Sequence, residues 1–272
     1  MFTGSGVALV TPFRDGEVDF EAFGRLIDWQ IDNRTDALIA CGTTGEPSTM
    51  TRAEKEAVIG FAVKRAACRV PVFAGTGGND TREAIELSAA ARALGADGLL
   101  MVTPYYNKTT QPGLIAHFTA VADAVDLPII LYNVPSRTGL NLLPATVTRL
   151  IEHPNIRGVK EASANIEQIT ELMRLCGDRV ALYSGNDDHV VPLLALGGQG
   201  VISVTANVAP RMMHDMVAAW LAGDHASSLQ LQFKLNPLTR QLFTEVNPIP
   251  VKAALCMMGM IGPEIRLPLV EL

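Results

Sequence analysis

A chain of 272 residues, 48% hydrophobic and 18% charged, carries enough apolar surface for one large core or two small ones. Its formal net charge of −6 and pI near 5.4 argue against nucleic acid and anionic membranes as partners. No uninterrupted apolar run approaches the roughly 18–20 residues of a transmembrane helix, and Met1-Phe2-Thr3-Gly4-Ser5 lacks the basic and apolar regions of a secretory signal. Cys41, Cys68, Cys176 and Cys256 are far apart and without metal-ligand spacing, which fits reduced thiols in the cytoplasm. His117, His153, His189, His214 and His225 form no cluster either, so neither a metal nor a cofactor is expected.

Short apolar strands alternate with longer amphipathic helices along the chain. Val7–Val10 reads as a first strand, ended by Thr11-Pro12. Asp19 caps a helix to about Asn33, with Phe20, Phe23, Leu26, Ile27 and Ile31 on one stripe. Ala37–Ala40 is a second strand, closed by Gly42-Thr43-Thr44-Gly45-Glu46. Thr51 and Glu54 form a capping box for the second helix. Val70–Ala74 is a third strand, followed by a helix capped near Asp80 or Thr81. Gly98–Thr103 is a fourth, with a helix from about Pro112 to Val125, and Pro128–Tyr132 is a fifth. Pro144 suits the first turn of a helix, where its missing donor costs nothing. Ile156–Ala162 is a sixth strand with its helix over Ile166–Cys176. Val180–Tyr183 precedes a helix over Asp187–Leu196, and Gly200–Val204 precedes one over Pro210–Leu221.

Eight consecutive βα units predict a closed (β/α)8 TIM barrel over residues 1–223. A doubly wound open sheet is weaker, because no Gly-x-Gly-x-x-Gly follows the first strand. Two further helices, Asp224–Leu242 and Pro250–Met260, predict a C-terminal helical appendix over 224–272.

In such a barrel the chemistry lies where strands end. Those positions hold Thr43 and Thr44, Tyr105 and Tyr106, Tyr132 with Arg137 just beyond, Lys160, Gly185-Asn186-Asp187, and Thr205-Ala206-Asn207. Lys160 ends the run Ile156-Arg157-Gly158-Val159-Lys160-Glu161-Ala162. A lysine drawn into an apolar barrel loses solvation, its pKa falls, and the neutral amine becomes a nucleophile for a ketone or aldehyde. Alone it could equally be a surface lysine at a strand end, Tyr132 a core aromatic, and the Gly42–Gly45 loop a plain turn. Together they suit imine formation: an amine, a phenol for proton transfer, and donors for carboxylates.

Four segments carry a resemblance: Gly42-Thr43-Thr44-Gly45-Glu46, Thr103-Pro104-Tyr105-Tyr106-Asn107, Tyr132-Asn133-Val134-Pro135-Ser136-Arg137-Thr138-Gly139 and Gly158-Val159-Lys160-Glu161-Ala162. With Gly200–Asn207 and Asn247–Lys252, the chain resembles the dihydrodipicolinate synthase (4-hydroxy-tetrahydrodipicolinate synthase) family of pyruvate-dependent class I aldolases over its whole length. The resemblance implies condensation of pyruvate with L-aspartate-4-semialdehyde in the diaminopimelate route to lysine. It implies an imine on Lys160 and proton relay by Thr43, Tyr132 and Tyr106, the last entering from the neighbouring subunit of a tight dimer. It also implies that Thr44 holds the pyruvate carboxylate and Arg137 that of the semialdehyde, with Gly185 and Ile202 lining the pocket through backbone groups. The implied assembly is a homotetramer built as a dimer of dimers.

A regulatory lysine cleft in such relatives maps to Pro47, Ser48, Arg52, Lys55, Asn79, Glu83 and Tyr105. Strongly inhibited relatives tend to carry histidines where this chain has Arg52 and Lys55, so weak inhibition by L-lysine is the expectation. Many relatives also have an aspartate at Asn186 and continue for about a further helix beyond Leu272. The sister reading is an N-acetylneuraminate lyase or keto-sugar-acid aldolase, which has no need of Arg137 for a second carboxylate. The non-enzymatic reading is a silent barrel acting as a ligand sensor.

Overall fold

The computed structural model describes residues 1–272. Eight parallel strands close into a barrel: β1 (Gly4–Ala8), β2 (Ala37–Ala40), β3 (Val72–Gly75), β4 (Gly98–Val102), β5 (Ile129–Asn133), β6 (Ile156–Glu161), β7 (Ala181–Ser184) and β8 (Gly200–Ser203). Each strand pairs with its sequence neighbours, and β1 closes the ring against β8 through Gly4↔Gly200 and against β2 through Gly6↔Ala37. The expected TIM barrel is therefore the fold.

The helices are α1 (Phe20–Asp32), α2 (Arg52–Ala66), α3 (Thr81–Ala93), α4 (Gln111–Ala124), the single turn α5 (Pro135–Thr138), α6 (Pro144–Leu150), α7 (Ile166–Cys176), α8 (Val190–Ala195), α9 (Pro210–Leu221), α10 (His225–Gln241) and α11 (Ile249–Met257). Local chemistry starts them where the sequence says. Asp19 accepts from the Ala22 N–H, Asp80 caps α3, and Thr51 and Glu54 form the reciprocal capping box of α2. The first strand differs from expectation, running Gly4–Ala8 rather than Val7–Val10. Its small residues lie against β8, where a Cβ on Gly200 would sit 1.9 Å from the Gly4 carbonyl oxygen. The expected Asp187–Leu196 helix opens as a 3-10 turn, Asp187–His189, before α8 begins. The hairpin Phe13–Arg14 with Glu17–Val18 has no counterpart among the expected elements.

Strand alternation sorts the core into two shells. Val7, Leu38, Leu99, Leu131, Val159 and Leu182 face outward into the layer shared with the helices. Phe2, Ile39, Phe73, Leu100, Ile130, Tyr183 and Ile202 fill the barrel interior. At the end away from the site, Phe2 stacks on Tyr183 with centroids 4.5 Å apart and meets Phe73 edge-on at 5.6 Å. The Tyr183 hydroxyl donates to the Phe2 carbonyl at 2.5 Å. This aromatic plug fills the barrel interior below the mouth.

Tyr183→Phe strands that carbonyl in an apolar floor. An unsatisfied buried acceptor costs about 1–3 kcal/mol, so the unfolding midpoint should fall accordingly in chemical denaturation with the slope unchanged. A variant as stable as the parent would mean the plug is held by stacking alone.

Candidate active site

Register puts Lys160 where chemistry is possible. On β6 Gly158 and Lys160 face inward, with Ala162 just beyond the strand, and Lys160 pairs with Tyr132 on one side and Tyr183 on the other. Lys160 is 4% exposed, and its Nζ lies 4.2 Å from the centroid of the Tyr132 ring. The side chain has room because Gly185 follows β7: a Cβ there would meet Ala162 Cβ at 2.7 Å and Lys160 Cε at 3.1 Å. Burial drives the Lys160 amine down to about 8, against the pull of the Asp187 carboxylate and with help from the Arg137 guanidinium. The Tyr132 phenol is pushed up to about 12 by burial, offset in part by Arg137 and the Thr43 hydroxyl. The phenol is therefore protonated near neutrality and can donate as well as relay a proton.

A cavity of about 270 Å³ opens over these groups, lined among others by Thr43, Thr44, Tyr132, Arg137, Lys160, Gly185 and Asn186. Thr43 and Thr44 begin a 3-10 turn after β2 whose backbone N–H groups and hydroxyls crowd one wall. Arg137, on the α5 turn, donates Nη2 to the Asn247 carbonyl at 3.2 Å. Asn247 Nδ2 donates to Thr44 Oγ1 at 3.0 Å. Two donor-rich walls flanking a nucleophilic amine suit a small substrate with carboxylates. Asn186 brings a neutral amide to the same cavity.

Two expected site residues stand apart. Tyr106 is 90% exposed, and its backbone holds φ at 68°, so it projects away from the cavity of its own chain. Ile202 is fully buried in the barrel interior and does not line the cavity wall. A second cavity of about 210 Å³ shares Gly42, Thr43, Tyr132 and Arg137 with the first and extends to Pro47, Ser48, Lys55 and Tyr105. Of the other regulatory candidates, Asn79 donates to the Tyr105 carbonyl at 3.3 Å, and burial, helped by the Glu83 charge, raises the Tyr105 phenol. Arg52 turns to Glu56 at 2.8 Å and to Glu86, leaving its guanidinium engaged.

The sequence places Asp187 among the strand-end positions without giving it a role, and Asn247 is not singled out there as a site group. Asp187 is 2% exposed, and its Oδ2 accepts from Val204 N, Thr205 N and Thr205 Oγ1 at 3.0, 2.8 and 2.9 Å. The signal was present in Gly185-Asn186-Asp187 after the seventh strand, but an aspartate there also reads as a helix cap. No group of three or more His, Cys, Asp or Glu side chains stands where it could hold a metal ion.

Competitive labelling with an amine-directed reagent across pH should find Lys160 titrating near 8. Arg137→Gln removes a neighbouring positive charge and should raise that value, whereas Asp187→Asn should lower it. Shifts of the opposite sign would mean that other charges set the site's field.

The model of the Dihydrodipicolinate synthetase family matches residues 1–272. A 4-hydroxy-tetrahydrodipicolinate synthase of Thermoanaerobacter sp. (strain X514) is 56% identical over 274 residues, covering 100% of this chain and 92% of that protein. The crystal structure of dihydrodipicolinate synthase from Aquifex aeolicus superposes with a TM-score of 0.98 at 50% identity, covering 100% of this chain and 93% of that one. A structure described as the first monomeric dihydrodipicolinate synthase variant gives 0.98 at 45% identity, covering 100% and 92%. A full-length family match, with relatives above half identity and a superposable barrel, carries one conclusion: the chain belongs to the dihydrodipicolinate synthetase family.

Proposed function

We propose that this chain is a lyase with 4-hydroxy-tetrahydrodipicolinate synthase activity, condensing pyruvate with L-aspartate-4-semialdehyde on Lys160 in the diaminopimelate route to lysine. The observation that carries the reading is the inward lysine over the Tyr132 ring, with a pKa near 8. Near neutrality a useful fraction of the amine is neutral and attacks the keto carbon of pyruvate; the carbinolamine hydroxyl takes a proton relayed by Tyr132 and leaves as water, giving a protonated imine. That cation withdraws electrons from the adjacent methyl group, which gives up a proton and attacks the aldehyde carbon as an enamine. Tyr132 and Thr43 move the protons, and hydrolysis or ring closure frees Lys160. Thr44 receives the pyruvate carboxylate and Arg137 that of the semialdehyde, while Gly185 lines the pocket and Ile202 backs it from the barrel interior. The high identity to synthases favours this reading over the sister aldolases and over a silent barrel.

Tyr106 serves a second copy of the chain in this scheme. Its exposure and its left-handed backbone fit a side chain extended to a neighbour rather than inward. The assembly proposed is a homotetramer of two tight dimers, working in the cytoplasm.

Borohydride with pyruvate should trap an adduct on Lys160, and turnover should require aspartate semialdehyde but not sialic acid or keto-sugar acids. Label on another lysine sinks the imine, and turnover of a sugar acid instead would transfer the chain to a sister activity. For Tyr106→Phe we expect a loss of about 10²–10⁴-fold in turnover with imine formation largely intact. Mixed oligomers of Tyr106→Phe and Lys160→Ala should regain part of the activity. Absence of recovery despite proven subunit exchange would place Tyr106 in its own site or in none.

A further inference from the structure

Glu46 ends the loop that presents Thr43 and Thr44, and its backbone lies in the left-handed region at φ 57°. A non-glycine residue holds that conformation only when its surroundings enforce it. The Glu46 carboxylate is buried, takes the Lys252 ammonium at 2.6 Å, and accepts the Arg266 backbone N–H at 3.1 Å. Both side chains of the Lys252–Glu46 pair are 2% exposed. Lys252 comes from α11, the last helix. The Arg266 side chain continues the clamp by donating to the Thr49 carbonyl at 3.0 Å, the Gly16 carbonyl at 2.6 Å and Glu54 at 2.5 Å. The Phe13 ring faces both cations, at 4.5 Å from Lys252 and 4.2 Å from Arg266.

No step of the reaction uses this pair. A buried ion pair is also a weak source of stability, because the desolvation of two charges cancels much of their attraction. What it does supply is a short, directional tether between segments 206 residues apart in sequence. The tether's near end is one residue from the turn bearing Thr44, and Asn247, from the same returning segment, already bonds the Thr44 hydroxyl. We infer that Lys252 is a positioning residue: through Glu46 it holds the Thr43–Thr44 turn at the distance from Lys160 that a bound keto acid requires. The inference rests on the pyruvate reading above. It gives the C-terminal helices a part in catalysis without contact with substrate.

The experiment compares the full-length parent with Lys252→Met, Glu46→Gln, the double variant Glu46→Gln/Lys252→Met and the milder Arg266→Gln, all well below their unfolding midpoints. Pyruvate KM, kcat, the acidic limb of the pH–rate profile and amide exchange in 42–50 are measured, with 98–102 as the reference segment. Each single variant of the pair should raise pyruvate KM roughly tenfold or more, as small displacements of a binding group do, while leaving the limb set by Lys160 in place. Exchange in 42–50 should quicken and that in 98–102 should not. The double variant leaves no unpaired buried charge, so its unfolding midpoint should recover while KM stays high. Recovery of KM together with stability would show the pair to be merely structural and overturn the inference. So would parental KM and exchange in any folded variant of the pair. If the single variants do not fold, the double variant and Arg266→Gln decide alone by the same readings. A parent that does not turn over pyruvate overturns the functional reading instead, and the exchange rates then judge the tether by themselves.

Discussion

The constraint on which the site depends is the removal of one ammonium group from water. Lowering the Lys160 amine from 10.5 to about 8 corresponds to about 3 kcal/mol of disfavour for its charged form. For a base whose folded pKa is depressed, the folded state holds fewer protons than the unfolded chain between the two values. The penalty is therefore full below about pH 8 and is relieved as pH climbs toward the unfolded value. The rest of the barrel has to sustain that penalty at working pH. An aromatic plug and two concentric apolar shells, 48 buried residues in the outer cluster and 13 in the inner, are what make it sustainable.

The same closure aligns the reacting groups. Parallel pairing sets Tyr132 beside Lys160 by register, so the phenol and the amine are neighbours through backbone hydrogen bonds before any side-chain contact forms. Gly185 then leaves the space that a side chain would deny to Lys160 Cε. The donor-rich walls of the cavity are built differently. They come from irregular turns, Thr43–Gly45 and Pro135–Thr138, which no sheet hydrogen bonds restrain, and both are tied to Asn247 far along the chain.

That difference explains what was legible in the sequence. The βα alternation, the Thr51–Glu54 box and the inward lysine could be read because each is a local pattern with a local cause. The hairpin at Phe13–Val18 escaped because two-residue strands carry no period. Asn247 and Lys252 escaped as site groups for another reason: nothing local says that the segment 247–252 returns to touch Thr44 and Glu46. The resemblance placed Arg52 in the regulatory cleft, yet Glu56 one helical turn away and Glu86 on α3 claim its guanidinium. Tyr106 shows the converse, since its chemistry was legible but its own chain offers it no partner.

Charge on either side of Lys160 closes the argument. Arg137 disfavours the ammonium and Asp187 favours it, and the two act in opposite senses on Tyr132 as well. Imine chemistry needs both states in turn: a neutral amine to attack, then a cationic nitrogen to draw electrons from the substrate. A site with only Arg137 would make a good nucleophile and a poor electron sink, and one with only Asp187 would do the reverse. Asp187 Oδ2 accepts three bonds from Val204 and Thr205, while its Oδ1 has no partner. Burial raises its pKa above the usual carboxylate value, and bonds from Ser203, Thr205 and Val204 counter that rise only in part. The carboxylate belongs to the strand-end scaffold that forms the mouth, so the field at Lys160 is set by the fold before substrate arrives.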